Sequence, residues 1–65
     1  MITLTQAKSL EKGNMLLQDS TNKRWKVTSV KTWKRDPDRV QIGLKHGLYS
    51  YAKITENDLH LVSLI

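Results

Sequence analysis

Basic and aromatic residues are concentrated in one stretch of the chain, "KRWKVTSVKTWKRDPDR", which runs from Lys23 to Arg39. It holds seven Lys and Arg residues and both tryptophans, and its only acids are Asp36 and Asp38. Lys and Arg bind phosphate groups and aromatic rings stack on exposed bases, so this combination favours an anionic partner such as nucleic acid. The same residues would also suit the solvent side of an edge strand, because cations there discourage pairing with another chain.

The distribution of charge along the chain is uneven. Residues 23–53 contain nine Lys and Arg and two Asp, a net charge of +7, together with all four aromatic residues. Residues 1–22 sum to zero and residues 54–65 carry −2, so the middle segment accounts for the whole excess of +5. A basic region of this kind attracts polyanions.

Residue types that support catalysis or metal binding are sparse. The chain has no Cys, and neither His46 nor His60 has an Asp or Glu at metal-ligand spacing. Asp36 and Asp38 flank Pro37 in the manner of turn formers rather than of a catalytic pair. No glycine-rich phosphate loop or serine-nucleophile motif is present. We therefore expect a protein that is not an enzyme and that uses no metal, cofactor or small-molecule substrate.

The length of 65 residues fits a single small domain covering residues 1–65. A chain of this size buries only about 60% of the surface that its unfolded form exposes. The start "MITLTQAK" lacks the pattern of a secretory signal, and "LHLVSLI" is too short to span a membrane. Since no cysteine points to an oxidising compartment, we expect a cytoplasmic protein without a membrane partner.

Turn formers divide the chain into a short helix and five strands. A capping-box pattern at Thr3 and Gln6 predicts a helix over Leu4–Lys12, which Gly13 ends. Strands are predicted, in order, at "NMLLQ", "RWKVTSVKTW", "RVQIGLK", "LYSYAKI" and "LHLV", with turns at "DSTNK", "RDPD" and "HG". Thr55 should begin a single helical turn, "TEND", before the last strand.

The alternation of the second strand slips by one residue. Trp25 and Val27 share one parity, but Val30 lies three residues beyond Val27. A β-bulge near Thr28–Ser29 would turn both valines toward the core. Trp25 is then expected in the core as well.

This order of elements resembles the SH3-like small barrels, in which a one-turn helix separates the fourth and fifth strands. The resemblance covers roughly residues 13–62, with residues 1–12 as an N-terminal helical segment. It implies a mainly β fold: a five-stranded antiparallel small barrel with a short N-terminal helix and a one-turn helix before the last strand. The chain looks partly like the KOW and Tudor-type members, many of which bind nucleic acid or peptides. An OB-like barrel is the alternative architecture.

Side-chain parity places one face of the predicted sheet toward solvent. If Val30, Thr32 and Ile54 point inward, Leu48, Ser50 and Ala52 do so too. The outward residues are then Lys31, Trp33, Lys45, Tyr49, Tyr51 and Lys53, with Lys34 and Arg35 beside them and Gly43 as an open spot. A shift of one residue in the fourth strand would instead bury both tyrosines, and cross-strand packing alone would also explain them.

We predict a non-enzymatic module that binds DNA or RNA through this face with low sequence specificity. The expected nucleic-acid-binding residues are Lys26, Lys31, Trp33, Lys34, Arg35, Arg39, Lys45, Tyr49, Tyr51 and Lys53. The alternative is a protein-interaction adaptor or inhibitor that binds an acidic partner, of the kind found among phage and mobile-element accessory proteins. Trp33 and Arg35 would be its anchors.

Overall fold

A computed structural model describes all residues from Met1 to Ile65. The chain forms one short α-helix, five β-strands and one 3₁₀ helix, which confirms the expected mainly β composition. In chain order these elements are α1 (Leu4–Lys8), β1 (Met15–Gln18), β2 (Lys23–Trp33), β3 (Asp36–His46), β4 (Ser50–Thr55), the 3₁₀ helix (Glu56–Leu61) and β5 (Val62–Leu64).

All five strands belong to one antiparallel sheet with the order β4-β3-β2-β1-β5. The sheet is open, and β4 and β5 are its two edges. An apolar hollow of about 120 Å³ lies on the inner side of the sheet, lined by Trp25, Ile54 and Leu61 among others. The long strands β2 and β3 are the framework on which the other elements pack.

Helix α1 begins as predicted and ends earlier than predicted. Both hydrogen bonds of the capping box are present, from the Gln6 N–H to Thr3 Oγ1 and from the Thr3 N–H to Gln6 Oε1. The predicted end at Lys12 is wrong, because Ser9 caps the helix and its hydroxyl donates back to the Thr5 carbonyl. A helix of five residues depends on packing, and Ala7 is fully buried.

The bulge predicted in β2 is present. Val27 pairs with Leu44, whereas Ser29 pairs with Gly43, so Thr28 is an extra residue without a partner. Val27 is fully buried and Val30 packs against the core. The extra residue thus keeps the core-facing side chains on one face along this eleven-residue strand, although the alternation shifts by one residue at the bulge.

The connection between β2 and β3 differs from the prediction of a turn at "RDPD". The turn residues are Lys34 and Arg35, and β3 already begins at Asp36. The pairing jumps from Thr32 with Val40 to Trp33 with Asp36, so Pro37 lies in a stretch of β3 without ladder partners. Proline suits that place because it has no N–H to donate, and its carbonyl accepts a hydrogen bond from the Lys8 side chain.

The fourth strand starts two residues later than predicted. Leu48 and Tyr49 lie in the turn before β4, together with Gly47, whose φ of +71° is in the left-handed region. Leu48 is 73% exposed in this turn, so its predicted inward orientation is wrong, whereas Ser50 has the predicted parity but is exposed at the strand end. Thr32, also expected to point inward, is exposed near the end of β2. Thr32 pairs with the buried Val40, so it and Ser50 lie on the predicted side of the sheet, and they are exposed because strand ends lack a covering layer.

The second helical piece begins where predicted. Thr55 is its N-cap: Thr55 Oγ1 accepts from the Asn57 N–H, and the Thr55 N–H donates to Asp58 Oδ2. This 3₁₀ helix is longer than one turn, so Leu59, His60 and Leu61 belong to it rather than to the last strand. β5 is consequently only three residues long.

The core lies between the inner side of the sheet and the two helical pieces. Its largest fully buried side chains are Ile2, Leu16, Val27, Val40 and Ile42. Trp25, expected in the core, is half-buried: it packs against the core while its indole N–H donates to Gln18 Oε1 at 3.1 Å. Neither helical piece has the length and apolar character that a membrane crossing requires.

Candidate nucleic-acid interface

The solvent side of β2, β3 and β4, hereafter the outer face, carries most of the predicted binding residues. Strand register places Lys26 beside Lys45 and Lys45 beside Tyr51, which makes one row across three strands. We call these three residues the basic row. A second row is formed by Ser29, Gly43 and Lys53. Residues in register on adjacent strands point to the same side, so both rows face solvent together.

The bulge at Thr28 is what unites the cations of β2. Lys26 and Lys31 are five residues apart and would point to opposite sides of a regular strand. The extra residue between Val27 and Ser29 reverses the parity, so Lys31, paired with Gln41, lies on the same face as Lys26. The outer face is therefore basic along the length of β2.

The two tyrosines predicted to bind nucleic acid are both exposed, Tyr49 to 89% and Tyr51 to 68%. The alternative in which a register shift buries them is therefore excluded. Tyr51 lies within β4, with Lys45 Nζ 5.7 Å from its ring centroid. Tyr49 lies in the β3–β4 turn and not on the strand.

Trp33 is half-buried and is covered by cations of its own chain. The Arg39 guanidinium carbon lies 4.0 Å from the centroid of the Trp33 ring, and Lys31 Nζ lies 5.3 Å from it. These are cation–π contacts. A ligand base would have to displace Arg39 or use the opposite side of the ring, so Tyr51 is the more accessible stacking surface.

The predicted residues do not form a single cluster. Trp33, Lys34, Arg35 and Arg39 lie at the β2–β3 turn, whereas Lys45 and both tyrosines lie toward the β3–β4 turn. The eleven residues of β3 separate the two turns by roughly 30 Å of strand. Lys31 and Lys53 lie between these ends.

None of the eleven Lys and Arg side chains forms an ion pair. The molecule has one salt bridge, between the N-terminal ammonium and Asp19 at 3.5 Å. Asp36 and Asp38 are exposed and leave the neighbouring Arg35 and Arg39 without a carboxylate within 4.0 Å. The positive charge of the outer face is thus not neutralised internally.

A hollow of about 420 Å³ adjoins the basic row and is lined by Arg24, Lys26, Lys45, His46, Gly47 and Met15. We call it the basic hollow. The sequence prediction did not include Arg24, although it has the same parity as Lys26 on the same strand. Three cations around one concavity form a site that fits a phosphate group.

His46 lies at the edge of the basic hollow. It is the last residue of β3, half-buried, with its ring centroid 5.5 Å from that of Trp25. His46 Nδ1 lies 2.7 Å from the Arg24 carbonyl oxygen, which can only accept, so Nδ1 carries the proton and donates. This hydrogen bond fixes the backbone at the edge of the basic hollow.

Gly43 was predicted to leave an open spot, and the space directly above it is filled. A Cβ atom at Gly43 would lie 2.6 Å from Ser29 Oγ and 2.9 Å from Thr28 Oγ1. Beside these hydroxyls is a hollow of about 310 Å³, lined by Thr28, Ser29, Gly43, Leu44, Tyr51, Ala52 and Lys53. We call it the Gly43 hollow. It is separate from the basic hollow, and the basic row contributes to both.

No three His, Cys, Asp or Glu residues lie close enough together to hold a metal ion. No protein-family model, curated protein or solved structure matches this chain.

Proposed function

We propose that this protein is a non-enzymatic module that binds nucleic acid through the outer face. The observation that carries the proposal is the pairing of Lys26 with Lys45 directly across the sheet, with no carboxylate near either. Like charges opposite each other destabilise a sheet by up to about 1 kcal/mol. A bound polyanion would offset that repulsion. The fold itself does not need the pair of lysines.

The expected contacts follow from the two kinds of side chain on the outer face, cationic and aromatic. Phosphate groups bind at the basic hollow between Arg24, Lys26 and Lys45 and release counterions when they do. Bases stack on Tyr51, which is exposed and borders the same row. Each stacked base contributes about 1–3 kcal/mol. Because charge and stacking are tolerant of sequence, most of the affinity should depend little on the bases.

The same proposal includes an SH3-like barrel as the fold. It is supported by the strand order β4-β3-β2-β1-β5, by a long bulged β2 that pairs with both β1 and β3, and by the 3₁₀ helix before β5. A bulged, strongly bent β2 would bring the two edges of the sheet toward each other.

Fluorescence anisotropy tests the function. Labelled single-stranded DNA, single-stranded RNA and duplex DNA of about 12 nucleotides are titrated at about 50 mM and about 200 mM salt. We expect binding at low salt that weakens at high salt. Replacing Lys26 and Lys45 by Gln should weaken binding more than replacing Lys12 and Lys23 by Gln. Lys12 and Lys23 lie outside the outer face, and their replacement removes the same charge.

Two results would contradict the proposal. One is the absence of binding to every oligonucleotide at low salt. The other is an equal loss of affinity in the two charge-matched variants, because binding would then follow net charge and not the outer face.

A second candidate function is docking to an acidic protein, favoured by the β3–β4 turn. Leu48 and Tyr49 are 73% and 89% exposed at the end of the face that carries the basic row, as an apolar tip for a protein partner would be. Pull-down from a cell extract with and without nuclease separates the two candidates. A partner that resists nuclease and no longer binds when Leu48 and Tyr49 are replaced by Ser supports docking.

A further inference from the structure

The Gly43 hollow differs in chemistry from the rest of the outer face. Its lining includes Gly43, which is buried, Tyr51 and Lys53 on β4, and Thr28 and Ser29 on β2. Its volume of about 310 Å³ is at the lower end of the range for small-ligand sites. It is therefore roomy enough for one base and open enough to admit it from solvent.

The hydroxyls of Thr28 and Ser29 are the polar groups that set this hollow apart. Both lie over Gly43, within 3 Å of where its Cβ would be, so the glycine is what leaves room for them. Neither hydroxyl forms a hydrogen bond with another group of the protein, whereas Thr3, Ser9, Thr55 and Ser63 all do. A hydroxyl both donates and accepts, so two hydroxyls held at fixed positions favour a base edge whose donors and acceptors match their spacing.

The bulge is the reason that two hydroxyls meet at one point. In a regular strand Thr28 and Ser29 would point to opposite faces. Because Thr28 is the extra residue of the bulge, both side chains reach the outer face above the same glycine. Bulges that redirect a side chain are common next to binding sites.

We propose that the Gly43 hollow reads one base of a bound single strand, an inference that rests on the proposed function. The base stacks against Tyr51 and its edge hydrogen-bonds to Thr28 and Ser29, while Lys45 and Lys53 contact the adjoining phosphates. Only an unpaired base can enter, because a paired base has both faces stacked within the duplex and its Watson–Crick edge bonded to the partner base. The protein then prefers a particular base at one position of the bound nucleic acid, while the rest of the outer face tolerates any sequence.

The test compares DNA homopolymers of thymine, adenine and cytosine, about 8 nucleotides long. The double variant Thr28→Val and Ser29→Ala removes both hydroxyls with little change in shape and none in charge. We expect it to lose about fivefold in affinity for at least one homopolymer and less than about twofold for another, a factor typical of one hydrogen bond. Its salt dependence should equal that of the parent protein.

Three further measurements complete the test. Thr32→Val is the matched control, since Thr32 is exposed on the same strand outside the hollow, and it should bind all three homopolymers as the parent does. If the double variant unfolds, Ser29→Ala alone replaces it in the comparison of homopolymers. Amide shifts of the parent protein on addition of the preferred homopolymer should be largest at Thr28, Ser29 and Gly43.

The outcomes separate this inference from the proposed function. If the parent binds oligonucleotides but the double variant loses affinity uniformly or not at all, the hollow reads no base and the proposed function stands. If duplex binds as tightly as the best single strand, the inference is likewise overturned. If the parent binds no oligonucleotide, both fail together.

Discussion

The inner and outer faces of β2 and β3 are built from alternating residues of the same strands and differ in almost every physical respect. On the inner face Val27, Ile42 and Leu44 are at most 2% exposed. On the outer face their immediate neighbours Lys26 and Lys45 lie directly opposite each other without a counterion. Burial of apolar side chains on the inner face stabilises the fold, whereas repulsion between the two lysines on the outer face destabilises it slightly.

This difference separates stability from binding within a very small protein. Apolar burial on the inner face keeps the strands in register, so the outer face can hold residues that do not help the fold. Substitutions on the two faces should therefore affect different measurements. Four experiments test that separation.

The largest effect is expected from truncating the inner face. Ile42→Ala removes a fully buried side chain from the centre of the sheet and should lower the free energy of unfolding by about 2–5 kcal/mol. Urea unfolding followed by tryptophan fluorescence measures it. Lys31→Ala, on the outer face, should change the same quantity by less than about 0.5 kcal/mol. Comparable losses in the two variants would end the distinction between the faces.

Gly43→Ala is expected to affect both faces. The added methyl group would meet Ser29 Oγ and Thr28 Oγ1 at less than 3 Å and should force the bulge to shift. We expect a loss of about 1–3 kcal/mol in thermal or urea unfolding and a simultaneous loss of base preference. An alanine variant as stable as the parent would show that the two hydroxyls do not fill the space over Gly43.

Tyr51→Ala should weaken binding without weakening the fold. The ring is 68% exposed, and losing one stacked base should reduce oligonucleotide affinity about fivefold or more. Tyr51→Phe keeps the ring and should bind as the parent does. Anisotropy titration together with a melting curve measures both quantities. Equal weakening in the Phe and Ala variants would rule out stacking as the contribution of this residue.

The smallest change in stability is expected from the basic row. Replacing Lys26 and Lys45 by Gln removes the repulsion between them and should leave the unfolding free energy unchanged or raise it by less than about 1 kcal/mol. The slope of log affinity against log salt should become shallower by about 0.7 for each phosphate of a single strand that the variant no longer neutralises. A clear loss of stability in this variant would instead assign the two lysines a structural role.

Much of the fold was predictable where a local rule decides. The capping box predicted at Thr3 and Gln6 is present, and the helical turn predicted to begin after Thr55 does begin there. The bulge at Thr28 followed from the three-residue gap between the two valines. The outward direction of Tyr51 followed from alternation within β4, once Ile54 was taken to face the core.

Other features were not predictable because pairing partners decide them. Pro37 was placed in a turn, yet β3 extends past it because Trp33 pairs with Asp36. Leu48 was expected in the core, yet the strand has not begun there. The basic hollow was missed because Arg24 and His46 are distant in sequence and meet only through the β2–β3 register. The prediction of one continuous face also overlooked the length of β3.

Because the bulge at Thr28 contains one extra residue, that residue can be deleted without reversing the side-chain parity of the rest of β2. Its loss would leave Val27 opposite Leu44 and Ser29 opposite Gly43 as consecutive pairs of an ordinary ladder. Deleting Lys31 instead would send the residues that follow it to the wrong side. A single inserted codon is therefore sufficient to create this bulge in a regular strand, because the buried side chains on either side of it keep their partners.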